Sequence, residues 1–81
     1  MFDVSLAMEF LGIDPEGRWA SLCSIGGDRK VVVWRQVSDP AVAAALRRIP
    51  KNEKINVSIS GNALVGLQTS DGEIVGTMFE K

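Results

Sequence analysis

Over the first ten residues Phe2, Val4, Leu6, Met8 and Phe10 alternate with Asp3, Ser5, Ala7 and Glu9. A period of two sends successive side chains to opposite faces of an extended chain, so this stretch predicts a strand with one apolar face. The alternation stops at "GIDPEGR", where Asp14, Pro15 and Gly17 favour the backbone angles of a turn. "WASLCSI" and "RKVVVWRQV" then flank "GGD" and predict a hairpin. With Gly26 and Gly27 as a two-residue turn, Trp19 faces Trp34, Ser21 faces Val32 and Cys23 faces Lys30 on one side. The other side pairs Arg18 with Arg35, Ala20 with Val33, Leu22 with Val31 and Ser24 with Arg29.

The pattern changes in "SDPAVAAALRRIP". Val42, Ala45, Leu46 and Ile49 fall on one arc at helical spacing, leaving Ala41, Ala43, Ala44, Arg47 and Arg48 on the other side. Ser38 or Asp39 can cap this helix, Pro40 suits its first position and Pro50 closes it. A helix of about ten residues does not persist alone, so it must dock on a sheet. Period two returns with Ile55, Val57 and Ile59 against Asn56, Ser58 and Ser60. "ALVGLQT" and "EIVGTMF" flank Asp71-Gly72, a hairpin signal. A two-residue loop there sets Val65 against Met78, Leu67 against Gly76 and Thr69 against Ile74, with Leu64, Val75, Thr77 and Phe79 on the reverse face.

Three strands, a helix and three strands predict an α+β, mainly β fold: a small barrel or strongly coiled antiparallel sheet of five to six strands, with one short helix after the third. This order resembles the OB-fold, whose helix lies between its third and fourth strands. The resemblance is one of topology, and a sixth strand departs from it. A chain of 81 residues forms a single domain, residues 1–81.

Composition narrows the chemistry. There is no histidine, no tyrosine and one cysteine, Cys23. Histidine-based zinc sites and Ser-His or Cys-His nucleophile pairs are thereby excluded. "DPEG" and "SDGE" each place two acids around a glycine turn, without the ligand ladder of a calcium loop. The expectation is a protein that is not an enzyme and uses no cofactor or metal. No run approaches the ~18 apolar residues of a membrane span, and Asp3 stands where a signal peptide carries positive charge. A lone cysteine also agrees with a reducing compartment, so a cytoplasmic location without a membrane partner is expected.

Charge is distributed in blocks. Residues 1–28 set one arginine against five acids, residues 29–54 set seven cations against two acids, and residues 55–81 set one lysine against three acids. Within the basic block, Arg47 and Arg48 suit the negative end of the helix macrodipole, while Lys51 and Lys54 are ordinary solubilising residues.

Two functional readings follow, and the direction of the tryptophans separates them. If Trp19 and Trp34 point outward, they form aromatic platforms beside Lys30, with Arg47, Arg48, Lys51 and Lys54 as further cations. That is the equipment of an OB-type single-strand nucleic-acid binder. Arg18 and Arg35 would then have to turn inward, which is costly without partners. If the tryptophans fill the core, the three hairpin arginines stay in water, and the inward arrangement is preferred on that ground. The exposed face then carries Leu22, Val31 and Val33 rimmed by Arg18, Arg29 and Arg35, the composition of a protein interface. In size and character the chain then resembles small stand-alone inhibitors encoded by phages, anti-CRISPR proteins among them. Such a resemblance implies a non-catalytic protein that binds a larger protein or protein–nucleic acid complex and blocks nucleic-acid access. Asp3, Glu9, Asp14 and Glu16 would meet the basic residues of that partner.

Overall fold

The alternating N-terminal stretch forms β1 (Val4–Ile13), and the strands that flank it in space are β2 (Trp19–Ser24) and β4 (Lys54–Ser60). A computed structural model of the chain describes residues 4–25 and 29–76. β1 is long enough to serve two neighbours. Val4 to Glu9 pair with Ile59 to Lys54, and Met8 to Ile13 pair with Ser24 to Ala20, both antiparallel. A bulge between Phe10 and Gly12 bends the strand where it changes partners.

β3 (Val32–Val37) continues the meander on the far side of β2, and β5 (Ala63–Gln68) does so beyond β4. A parallel pairing of Gln36 with Ala63 and Val37 with Leu64 joins these two outer strands. Five strands thus close into a barrel with the order and the helix position of the OB-fold. β6 (Ile74–Gly76) lies beside β5 as a sixth strand of the same sheet.

Sequence chemistry sets the helix α1 (Pro40–Leu46) between β3 and β4. The Asp39 carboxylate accepts a hydrogen bond from the Ala41 amide at 2.8 Å, and Pro40 occupies the first position, where its missing N–H costs nothing. The helix has seven residues rather than the expected ten, because the amides of Arg48 and Ile49 bond to the carbonyls three residues back and tighten the chain out of α geometry. Val42, Ala45 and Leu46 are buried as expected, and Ile49 packs against them partly covered. Ala43, expected on the outer side, is buried as well, since the Asp14–Gly17 turn lies over it. With Met8, Phe10, Ala20, Leu22, Val37, Ile55, Val57, Leu64 and Leu67, the helix residues make one continuous core.

Both hairpins differ in register from the expectation. In the first, Trp19 pairs with Gln36, Ser21 with Trp34 and Leu22 with Val33, a shift of two residues. Residues 26–28, where the Gly26-Gly27 turn is expected, lie outside the described residues. A shift of two preserves side-chain parity, so the grouping of residues by face survives. In the second, Gly66 pairs with Gly76 and Gln68 with Ile74, a shift of one. The Thr69 amide bonds to Glu73 across a three-residue turn that ends at Gly72, whose φ of +96° suits the left-handed position of this loop type. Val75 therefore faces Leu67 and packs on the core, while Thr77, Met78 and Phe79 lie outside the described residues. Among the described residues, no helix is long and apolar enough to cross a membrane.

Candidate functional site

The turn between β1 and β2 sets the start of the site. One Asp14 carboxylate oxygen accepts from the amides of Arg18 at 2.7 Å and Trp19 at 2.8 Å, and the Asp14 amide donates to the Trp19 carbonyl. These bonds, led by the one from Trp19, hold the Asp14 carboxyl below its ordinary pKa despite the opposing effect of desolvation. Trp19 thereby enters β2 in a defined orientation, and parity decides the rest.

Ala20 and Leu22 are fully buried, so the alternate positions Trp19, Ser21 and Cys23 face outward, together with Val32, Trp34 and Gln36 of β3. Trp19 is 45% exposed and Trp34 is 55% exposed. They sit diagonally across the pair, a separation aromatic side chains can bridge. Ser21 and Cys23 are buried although they occupy outward positions, because they are small and lie in the valley between larger neighbours. Val32 extends the apolar surface of this face and is 53% exposed.

The preferred inward orientation of the tryptophans is therefore corrected. The interior of a barrel this small takes Ala20, Leu22 and the inner side of Val33, and has no room for two indoles. The two arginines expected to suffer from the outward arrangement escape in different ways. Arg18 precedes β2, stays in water and lies 3.7 Å from Glu16. Arg35 occupies an inward position but lies half-buried, and its guanidinium bends back to donate to the Trp34 carbonyl at 3.1 Å. Its Nε is enclosed without a partner, so the accommodation is incomplete.

The apolar face assigned to a protein partner is dismantled by the same geometry. Leu22 is core, Val33 is partly buried against the core, and Val31 lies exposed before β3 begins. Arg29 is exposed. Of the acidic candidates, Asp3 lies outside the described residues, Asp14 is engaged in its turn, and Glu16 meets Arg18. Glu9 stands on the tryptophan side, 3.9 Å from Lys30 and opposite Lys54.

Trp19, Trp34, Lys30 and Lys54 thus share one side of the barrel. Arg47 reaches the Pro15 carbonyl at 3.5 Å and Arg48 lies 3.6 Å from Glu73, so both belong to the helix end, followed by Lys51 in the next turn. A depression beside this helix end is lined by Ile49 and Pro50 together with Arg48, Glu53, Ser70 and Asp71, with Ser70 donating to Glu53 at 2.8 Å. Thr69 and the Glu73 amide bond to the Asp71 carboxylate and hold its pKa low. Among the described residues, no group of three or more His, Cys, Asp or Glu is placed to hold a metal ion. Sequence reasoning missed Val32, Gln36 and Ile25 as surface residues of the hairpin. The signal was available in parity for Val32 and Gln36, which alternate with Val33 and Arg35.

Comparison with family models, curated proteins and solved structures finds no match for this chain.

Proposed function

We propose that this protein is a non-catalytic, OB-type module that binds single-stranded nucleic acid across the outer face of β2 and β3. The observation that carries the reading is the outward pair Trp19 and Trp34 on the strands that OB barrels use for oligonucleotides. Bases stack on such platforms with about 1–3 kcal/mol each and without strict sequence preference. Lys30 and Lys54 stand on the same side as the pair and supply charge for phosphates, with Glu9 as a local counterweight. A cytoplasmic setting goes with this reading, where the lone Cys23 stays reduced.

The test is a fluorescence titration with an unlabelled single-stranded oligonucleotide. Quenching of tryptophan emission is expected, with log affinity falling by roughly 0.7 per phosphate contact for each unit of log salt. Emission unchanged at low salt refutes the proposal. Duplex DNA of the same length quenches less, because its bases are not free to stack on the indoles.

A second reading is favoured by Val32, exposed on the same face as the tryptophans, and by Ile25 and Val31, exposed beyond the ends of β2 and β3, which make the surface more apolar than a phosphate groove requires. On that reading the chain is a stand-alone inhibitor or adaptor of the anti-CRISPR kind that covers a functional surface of a larger protein. The contact would be the tryptophan face rather than its reverse. Salt-insensitive association with a protein partner, in the absence of oligonucleotide binding, would select it.

A further inference from the structure

One edge of β3 is open. Val37 donates to the Arg18 carbonyl and the Val31 carbonyl accepts from Ser24, so odd-numbered residues turn their peptide groups toward β2. Val32, Trp34 and Gln36 turn theirs the other way. Gln36 meets the Asn62 carbonyl at 3.3 Å as the barrel closes. Among the described residues, no strand pairs with Val32 and Trp34 on that side. Val32 and Trp34 on this edge are apolar and exposed, β3 lacks a proline, and among the described residues the Trp34 carbonyl meets only the Arg35 guanidinium.

We propose that a second copy of this chain fills the edge, β3 against β3, antiparallel and centred on Val33. Three features of the strand select this occupant and this register. Centring on Val33 sets Val32 of one copy opposite Trp34 of the other, so the residues with free peptide groups bond to each other. It pairs an exposed β-branched side chain with an exposed aromatic one, a favourable cross-strand combination. It sets Val31 against Arg35 and ends there, because β5 occupies the edge at Gln36, so that no cation faces a cation. Sliding by two residues one way brings Arg29 against Arg35, cation against cation. Sliding the other way brings Val32 against Gln36, whose amide is already engaged.

The resulting interface is isologous, and its two-fold axis runs through the sheet. Both tryptophan pairs then lie on the same side of one continuous sheet. Resting on the proposed function, this arrangement makes a nucleic-acid track that crosses from one copy to the other. The Arg35 guanidinium, displaced from the Trp34 carbonyl, becomes free to turn outward.

Sedimentation or light scattering of the full chain tests the pairing without any ligand. The expected mass is twice 8.7 kDa. Val32→Pro removes an amide that β2 does not use, so it should leave the circular dichroism spectrum intact and halve the mass. Val32→Asp, which sets an unpaired carboxylate against the facing indole, should also halve it and serves if the proline variant fails to fold. A wild-type mass of 8.7 kDa across the micromolar range overturns the proposal, as does a folded Val32→Asp variant that keeps the doubled mass. A dimer that leaves tryptophan emission unquenched by oligonucleotide refutes the proposed function alone. A monomer that is quenched refutes the pairing alone.

Discussion

Truncating Leu22 and Trp34 separately should destabilise the protein in the reverse order of side-chain size. Leu22 is fully buried in the barrel, and Leu→Ala at such a site costs about 2–5 kcal/mol through lost transfer energy and the cavity left behind. Trp34 is 55% exposed, so less than half of its surface is at stake. If a buried aromatic covers about 150–250 Å², roughly 70–110 Å² is withdrawn from water here, worth about 2–3 kcal/mol at most. The alanine that remains and residual burial in the unfolded chain reduce this to about 1–2 kcal/mol. A domain of this length has about 4–12 kcal/mol in total, so Trp34→Ala stays folded at 25 °C, whereas Leu22→Ala approaches the limit. Urea unfolding followed by circular dichroism measures both. Each kcal/mol corresponds to about 4–8 °C in melting temperature at this size. If Trp34→Ala proves the more damaging of the two, the tryptophans are core and the assignment of faces is wrong. In the same preparation, Trp34→Ala should weaken oligonucleotide binding by about 1–3 kcal/mol, roughly 5- to 150-fold, and Leu22→Ala should leave the affinity of the folded fraction unchanged.

Other outcomes follow from particular contacts. Gly76 has a φ of +81°, and a Cβ there would lie 2.6 Å from the Val65 carbonyl oxygen and against Val42, so Gly76→Ala should cost about 2–5 kcal/mol in urea unfolding. Asp39→Ala removes the helix cap and should cost about 0.5–2 kcal/mol in the same assay, leaving oligonucleotide binding unaltered. The Asp14 carboxyl is held below its ordinary value of 3.8 in the folded protein, so its stabilising effect is complete above that pH and is lost as the pH falls through the lowered value. Exchange protection of the Trp19 amide should follow that acid transition, and Asp14→Ala should abolish it at neutral pH.

How much was legible in the sequence depended on how far each feature is decided locally. The strands and the helix cap announced themselves, because period two, Asp39 and Pro40 act through their immediate neighbours. Turn geometry was less accessible. Asp71-Gly72 suits a two-residue loop by composition, yet adding Ser70 to the turn shifts the register by one and turns Val75 toward the core. The orientation of the first hairpin was the least accessible, since an inward face suitable for a small barrel and an outward face suitable for water carry the same alternation. The hydration of Arg18 and Arg35 favours the inward orientation of the tryptophans. That criterion failed because Arg18 lies just outside the strand and Arg35 is long enough to curl back toward the Trp34 carbonyl. The site inherited the error: Trp19, Trp34 and Lys30 were grouped correctly, while Leu22 and Val33 were placed on the surface.

β1 also has a consequence for the order in which the molecule assembles. Its second half pairs with β2 across a short turn, which can form quickly while the rest of the chain is still disordered. Its first half pairs with β4, which follows in sequence only after β3 and α1. Until β4 arrives, the early meander presents one open flank of β1, with Leu6 and Met8 uncovered. Contacts so distant along the chain slow the search for the native state, which places folding in the millisecond-to-second range typical of non-local β topologies. The vulnerable interval is thus the wait for β4, and conditions that lengthen it, such as dilute denaturant or a weakened β4 strand, should favour intermolecular strand exchange over barrel closure.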